Sequence, residues 1–530
     1  MVNFLRGQRG NEGFVSDVAG KLYRTRDDAG VLGAIINAQP VYVRAPFSNY
    51  ADDGYDAFKS SQSSRAHMLY VAANDGMLHA FKATGTDTEV GQEAWAVIPS
   101  AVLPRLYKLA DASYGTNPEW TVDGTPSVGD AKIGGDWKTL LVAGLNGGGK
   151  GYYALDVTNP ASPKALWEFK WSNTCYDSGN PATASADCHL GFTYGRPWIT
   201  KLADGTWVVM VTSGYNNVNA PSKAGDGQGY LYVLDAANGH IIYKISTGQG
   251  DATTPSGLAQ IGIFVDNATL NNTALRAYGG DLFGNVWRFD FNGVQSANLV
   301  GTAKDSGGNP QPITVRPNLA EVRGKPIVLV ATGRLLGLTD MADTQVQSIY
   351  GIVDLLSDGP VYTDLRAALK PLTMTSSGSG VSLTRTVACS GDTAACGSTK
   401  GWVVDLPISG ERVNVDMALQ LGTLVAASNV PRGDDLCQLG GSSMVNFLDF
   451  ATGGAVVTAP GGIVSATLAG SMTFGVDVYK LPGGDTKYGG STGGGGGAGS
   501  PGSGGLVTGP VPTGPGPASH KEVSWREVTQ

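Results

Sequence analysis

Short bursts of apolar residues recur along most of this chain, each closed by a turn signal and followed by another burst. The stretch "MLYVAANDGMLHAFKATG" (68–85) shows the pattern: an apolar run, an Asn-Asp-Gly turn, a second run, then Thr-Gly. Runs of this length bounded by Asn, Asp and Gly predict β-strands joined by tight hairpins. The sentence repeats in "GYLYVLDAANGHIIYKI" (229–245) and "AYGGDLFGNVWRFDFNG" (277–293). Looser copies are "LLVAGLNGGGKGYYALDVTNP" (140–160), "SIYGIVDLLSDG" (348–359) and "SSMVNFLDFATGG" (442–454). Several copies follow an extended Pro-marked segment such as "AQPVYVRA", "GTPSVGDA" or "GRPWITKL". The repeating unit is therefore a meander of about four strands, which buries both faces only when packed between sister sheets.

This pattern predicts an all-β fold, a modified β-propeller of six to seven blades with long loop insertions. Six blades are expected at about 36–98, 121–170, 193–247, 257–305, 311–365 and 399–458, with extra strands at 465–481 within a body spanning 1–482. The Gly/Ser/Pro-rich segment 483–519 has the composition of a flexible linker. It leads to 520–530, whose "KEVSWREVTQ" reads as a strand that docks back on the body. The extra strands and this tail together would supply the seventh blade. Asp156, Asp235, Asp290, Asp354 and Asp449 end the third strand of their copies, where a carboxylate caps its own turn. The first copy has Lys82 at that place.

Composition narrows the class. The 530 residues include 77 Gly and 20 Tyr but only 15% charged residues, as suits a turn-dense β-protein, and the net charge of -8 makes nucleic acid an unlikely partner. No apolar run reaches the ~18 residues of a membrane span. Cys175 and Cys188 bracket "CYDSGNPATASADC", and Cys389 and Cys396 bracket "CSGDTAAC"; each pair suits a disulfide across a short polar loop, leaving Cys437 over. Such loops belong to an exported protein. No signal peptide is visible at "MVNFLRGQRGNEG", so the chain is expected to be the C-terminal part of a longer precursor.

Candidate chemistry is sparse. "GLNGGGKG" (144–151) approaches a phosphate-binding loop, but Gly151 stands where a Ser or Thr would hold magnesium and a strand follows instead of a helix. His67, His79, His189, His240 and His520 are scattered singly, as packing or loop residues are. Arg432-Gly433-Asp434 is a tripeptide that integrins can read, and its Pro and Gly neighbours suit a plain turn equally well. The repeats are also similar to those of quinoprotein dehydrogenases, in which pyrroloquinoline quinone and calcium would occupy the propeller funnel. Against that alternative, the chain has no adjacent Cys-Cys pair, and Trp95, Trp167 and Trp287 fit a repeat position only loosely. No catalytic residue and no cofactor is assigned.

A set of phrases, in order over about residues 2–454, resembles the C-terminal domain of the PilY-type proteins of bacterial type IV pili. They include "VNFLRG", "INAQPVYV", "MLYVAANDGMLHAF", "VDGTPSVGDA", "LVAGLNGGGKGYYALDVTNP", "SGYNN", "YGGDLFGNVWRFD" and "ATGRLL". The resemblance implies a non-enzymatic role in pilus biogenesis, twitching motility and surface attachment, at the pilus tip or cell surface after passage through the periplasm. It implies minor pilins, other tip components and surface or host-cell ligands as partners, and an N-terminal region, often von Willebrand A-like, outside this sequence. Some family members bind calcium in a loop rich in Asp just ahead of the "YGGDLFGNVWRFD" phrase. Here that place keeps Asp266, with Asn267, Asn271 and Asn272 as neutral oxygen donors, and so little charge implies weak calcium binding at most. The long insertions at 171–192 and 373–400, each carrying a cysteine pair, are candidates for partner recognition.

Overall fold

The computed structural model describes residues 1–13, 21–26, 30–218, 225–389, 399–432, 440–469, 471–481, 485–492, 505–513 and 520–522. The chain is all-β, with only short helical turns such as Tyr55–Ser61 and Leu103–Ala110. It divides into two compact units, residues 1–259 with 269–273 and residues 260–268 with 274–530.

The first unit holds three antiparallel meanders in chain order. The first sheet is Val41–Val43, Met68–Ala73, Met77–Lys82 and Glu93–Val97. The second is Ser127–Ile133, Asp136–Gly144, Gly151–Asp156 and Lys164–Trp171, extended by the short parallel strand Ala186–Asp187. The third is Trp198–Lys201, Trp207–Thr212, Tyr230–Asp235 and Ile241–Ser246. First strands of consecutive sheets lie against one another, Val41–Val43 beside Ser127–Ile133 and that strand beside Trp198–Lys201, as in propeller blades.

The second unit holds four sheets among the described residues. The fourth sheet is Ile261–Val265, Ala274–Gly280, Asn285–Asp290 and Ser296–Thr302. The fifth starts with Asn318–Val322, Lys325–Ala331 and Ser348–Val353, and its fourth strand is Gly401–Asp405. A hairpin, Lys370–Ser377 with Thr384–Cys389, is inserted before that fourth strand and pairs parallel to it. Gly401–Asp405 therefore serves as the fourth strand of the fifth sheet rather than opening the 399–458 blade that the repeat suggests; 47 residues, the inserted hairpin among them, separate it from its partner's end at Val353. The sixth sheet is Ala418–Gln420, Thr423–Arg432, Gly440–Asp449 and Ser465–Ala469, so 465–469 is its outer strand and not an extra one.

Two further strands fall inside the segment read as a linker. Thr486–Thr492 pairs with Thr473–Lys480 on one side and with Gly505–Pro510 on the other, as the central strand of a three-stranded seventh sheet. Its strands are rich in Gly, Ser and Thr, yet backbone hydrogen bonds need no apolar side chain, and Tyr488 and Val511 are buried against Phe447, Val476 and Leu468. The C-terminal segment His520–Glu522 pairs with Asn318–Val322 at the edge of the fifth sheet.

Neighbouring sheets are joined by a tryptophan that the repeat pattern conceals. Trp95, Trp167 and Trp402 each lie on the fourth strand of a sheet, opposite Ala80, Ala154 and Gly351 on the third. Each indole N–H reaches the turn after the third strand of the following sheet: Trp95 donates to the Pro160 carbonyl (2.8 Å), Trp167 to Ala236 (3.0 Å) and Trp402 to Phe450 (3.0 Å). Trp287 is different, sitting on a third strand and donating to Asp281 Oδ2 at 2.8 Å. The tryptophans thus do hold a regular place, once Trp402 replaces Trp287 in the series.

The receiving turns are the Asp turns. Asp156, Asp235, Asp354 and Asp449 accept the backbone N–H two residues on, from Thr158, Ala237, Leu356 and Ala451. Asp290 instead holds Arg288 and Asn298. Without a carboxylate at Lys82, the first sheet uses a longer loop in which Glu89 accepts from the Thr86 N–H at 3.0 Å. Gly239 and Gly453 close two of these turns with φ of +71° and +74°, and a Cβ there would lie 2.6 and 2.4 Å from the rings of Trp167 and Trp402. Replacing either by Ala combines left-handed strain with overpacking and should cost about 2–4 kcal/mol. Gly205→Ala, at φ +90° but facing open space, should lower the thermal midpoint distinctly less; equal losses would remove the indole from the explanation.

Candidate functional site

The insertion at 171–192 is tied into the second and third sheets at several points. Ala186–Asp187 pairs alongside Lys164–Trp171, and the Cys175–Cys188 disulfide closes the intervening loop. Asn180 caps the turn Pro181–Thr183 by accepting from the Ala182 N–H, which suits a Pro-led single turn. The Tyr176 hydroxyl reaches the Ile241 carbonyl at 3.4 Å, and the Ile241 N–H donates to Ala184. Cys175 and most of residues 173–182 are exposed, whereas Cys188 and Asp187 are wholly buried.

Asp187 is the centre of the site. Its Oδ2 faces Lys244 Nζ at 2.7 Å and accepts from the Tyr232 hydroxyl at 2.8 Å; its Oδ1 accepts from the Tyr176 N–H at 2.8 Å. His189 Nδ1 lies 3.2 Å from Asp187 Oδ1, 2.8 Å from Lys244 Nζ and 3.1 Å from Cys188 Sγ. Asp226, 3.6 Å from His189 Nε2, accepts from the Tyr230 hydroxyl at 2.6 Å. Tyr230 packs on His189, with the Lys244 ammonium 4.5 Å from its ring centroid. Burial alone would raise the Asp187 carboxyl pKa, but the bonds from His189, Lys244 and the Tyr176 amide outweigh it and hold the group well below the usual carboxylate range. Burial, and after it the Asp187 carboxylate that accepts its hydrogen bond, push the Tyr232 hydroxyl far up.

Cys175, Asp187, Cys188 and His189 present ligand atoms within 4.8 Å of one another, the one such group among the described residues. Both sulfurs are spent on the disulfide and Asp187 on Lys244, so the cluster as built is a charge network closing a loop and not a metal centre. Sequence reading singled out the cysteines but treated His189 as a lone packing residue. "DCH" at 187–189 was the available signal; the partners Lys244, Tyr232 and Asp226 come from elsewhere in the chain and carried none.

The other sequence candidates are not brought together with this site. Asp266 is exposed at the end of Ile261–Val265. Asn271 Oδ1 accepts from the Thr273 N–H, and Asn272, in the left-handed conformation at φ +46°, donates its amide to the Ile199 carbonyl at 3.1 Å. Asn267 is half-buried. Arg432 ends the strand Thr423–Arg432 and is exposed, while Gly433, Asp434 and Cys437 lie outside the described residues. Cys389 is disulfide-bonded, and Cys396, its partner by spacing, also lies outside them. The glycine-rich 144–151 segment is a hairpin loop: a Cβ on Gly148 would fall 1.6 Å from the Thr121 carbonyl oxygen, and Lys150 donates to the Asn216 carbonyl with its pKa lowered by burial to about 8.

Comparison with known proteins places this architecture. A sequence profile of the PilY1 beta-propeller domain matches residues 32–301, about half of the chain, and spans the disulfide-closed loop. The chain belongs to the PilY1 β-propeller family. It is similar, at 34% identity over 507 residues, to a type IV pilus biogenesis factor PilY1 homolog of Xylella fastidiosa (strain Temecula1), with 91% of this chain and 37% of that protein aligned. It is 33% identical over 506 residues to type IV pilus biogenesis factor PilY1 of Pseudomonas aeruginosa (strain PAK), covering 86% of this chain and 40% of the relative. The chain thus spans about two fifths of the length of these PilY1 relatives. The crystal structure of the Pseudomonas aeruginosa PilY1 C-terminal domain superposes with a TM-score of 0.62 at 26% identity, covering 82% of this chain and 93% of that one. The all-β propeller expectation and the family resemblance both hold.

Asp187 gives a pH test with a defined sign. Its folded pKa lies below the unfolded value of about 3.9, so its contribution is complete above that pH and is lost as the pH falls further. Asp187→Asn leaves the half-buried Lys244 beside a neutral amide and should cost about 3 kcal/mol at neutral pH. In urea denaturation, the gap between wild type and variant should narrow as the pH falls below about 4; a gap independent of pH would remove charge from the account.

Proposed function

We propose that this chain is the propeller part of a type IV pilus biogenesis factor that acts by protein–protein contact in pilus assembly and surface attachment at the pilus tip. The observation that carries this reading is the PilY1 profile match, joined by 34% identity to a PilY1 homolog over 91% of the chain. The architecture supports it: rigid sheets carry polar, disulfide-closed insertions, which suits recognition on loops over a fixed scaffold. Minor pilins and other tip components are the proposed partners, and export through the periplasm is the proposed route. The argument from tryptophan placement against the quinone-enzyme alternative falls away, since the indoles are regular, but these indoles are committed to turns as packing devices. Family membership therefore decides against that alternative.

Deleting the gene should abolish surface pili or twitching and leave dye-linked alcohol oxidation untouched. Restoration should require the propeller-coding segment within the full-length gene. Normal piliation in the deletion strain, or quinone-dependent dye reduction by the purified protein, would sink the reading.

We further propose that calcium plays little part here. Asp266 is the single carboxylate of the candidate loop, and Asn271 Oδ1 already accepts from the Thr273 N–H. Calorimetric titration with calcium should show no micromolar site; such a site, lost in Asp266→Ala, would reverse this.

A further inference from the structure

The Cys175–Cys188 disulfide is asymmetric in a way that bears on its reactivity. Cys175 is exposed in a polar turn, while Cys188 is wholly buried between Asp187 and His189. An incoming thiolate meets Cys175 in the open and finds Cys188 shielded by packing and by the Asp187 carboxylate. Exchange depends on which sulfur is accessible and on how well the other sulfur leaves. The leaving side is equipped: His189 Nδ1 lies 3.1 Å from Cys188 Sγ and 2.8 Å from Lys244 Nζ. The negative groups facing this imidazole are already engaged, Asp187 by Lys244, Tyr232 and the Tyr176 amide, and Asp226 by Tyr230.

We propose that Cys175 is a thiol-exchange site at which a cysteine-bearing partner forms a mixed disulfide, with Cys188 as the leaving sulfur beside the His189–Lys244 pair. The partner's thiolate attacks Cys175 Sγ, forming a new S–S bond as the Cys175–Cys188 bond breaks. The released electron pair stays on Cys188 Sγ as a thiolate, whose negative charge is stabilised by the Lys244 ammonium, hydrogen-bonded to the adjacent His189 Nδ1, until solvent supplies a proton. One external thiol is oxidised to the sulfur of the mixed disulfide and one protein sulfur is reduced to a thiol, so no further oxidant or reductant is needed. After exchange the loop is held at its 187–189 end by the Asp187 network and carries the partner at its free end. This inference does not depend on the pilus reading.

Reduced glutathione serves as the probe. The oxidised protein is incubated with it, quenched in acid at early times, alkylated and peptide-mapped, with the Cys389 disulfide as internal reference. Glutathione should be found on Cys175 and the alkyl group on Cys188, and the Cys175–Cys188 bond should open faster than the reference. At a fixed glutathione thiolate concentration His189→Phe should slow opening several-fold, while Lys244→Arg, which keeps the charge, should keep most of the rate. Glutathione on Cys188, or spread equally over both sulfurs, overturns the proposal in the wild-type protein without recourse to a variant. An unchanged rate in folded His189→Phe overturns the assigned role of the imidazole.

Discussion

The indole N–H bond from the fourth strand of one sheet to the turn of the next is the constraint on which the rest of this architecture depends. A four-stranded meander in which both faces are apolar cannot stand in water by itself; it is stable only against neighbours. Trp95, Trp167 and Trp402 supply both parts of that neighbour contact, a large apolar surface and one directional bond. The directional part fixes how far one sheet is rotated against the next, because the accepting carbonyl belongs to a turn whose shape is set by its own Asp. The ring then needs room, which a small residue opposite it and a left-handed Gly in the facing turn provide. Strand partner, turn and indole are one device repeated along the chain.

A second device recurs beneath it. Buried carboxylates are met by a tyrosine hydroxyl: Tyr55, from a short helix, donates to Asp130, and Tyr232 and Tyr278, from strands, donate to Asp187 and Asp354, each at 2.8 Å. Where a cation is added, as Lys244 on Asp187 or Arg288 on Asp354, the ion pair lies in the interior. Such pairs add little net stability over an apolar replacement, but losing one partner is costly, so they penalise misplacement of the loop that carries the carboxylate. At 171–192 this anchoring holds one end of an exposed polar loop in a defined place beside two sheets.

Legibility from sequence followed the range of the interaction. Turns and hairpins were readable because their causes are local: Asp235 caps the N–H two residues on, and Asn74-Asp75-Gly76 bends the chain where it stands. The Cys175–Cys188 pairing was readable for the same reason, since a short loop leaves few other partners. Blade boundaries failed where a hairpin intrudes. Residues 370–389 separate Gly401–Asp405 from its sheet, and a repeat read by eye assigns the strand to the next copy. The Gly-rich 486–492 and 505–510 strands failed too, because their pairing rests on backbone groups that every residue carries. His189 was invisible as part of a site, since its partners at 226, 230 and 244 meet it only through the third sheet.

By itself, then, the sequence determined the repeating strand–turn unit, the all-β class and the family, since each is written in short stretches whose physics is complete within a few residues. Tertiary structure alone decided which strand completes which sheet, which tryptophans share a role and which charges surround the disulfide. Those outcomes depend on groups dozens of residues apart arriving at the same few ångströms, and no local pattern of apolar and polar positions encodes that arrival.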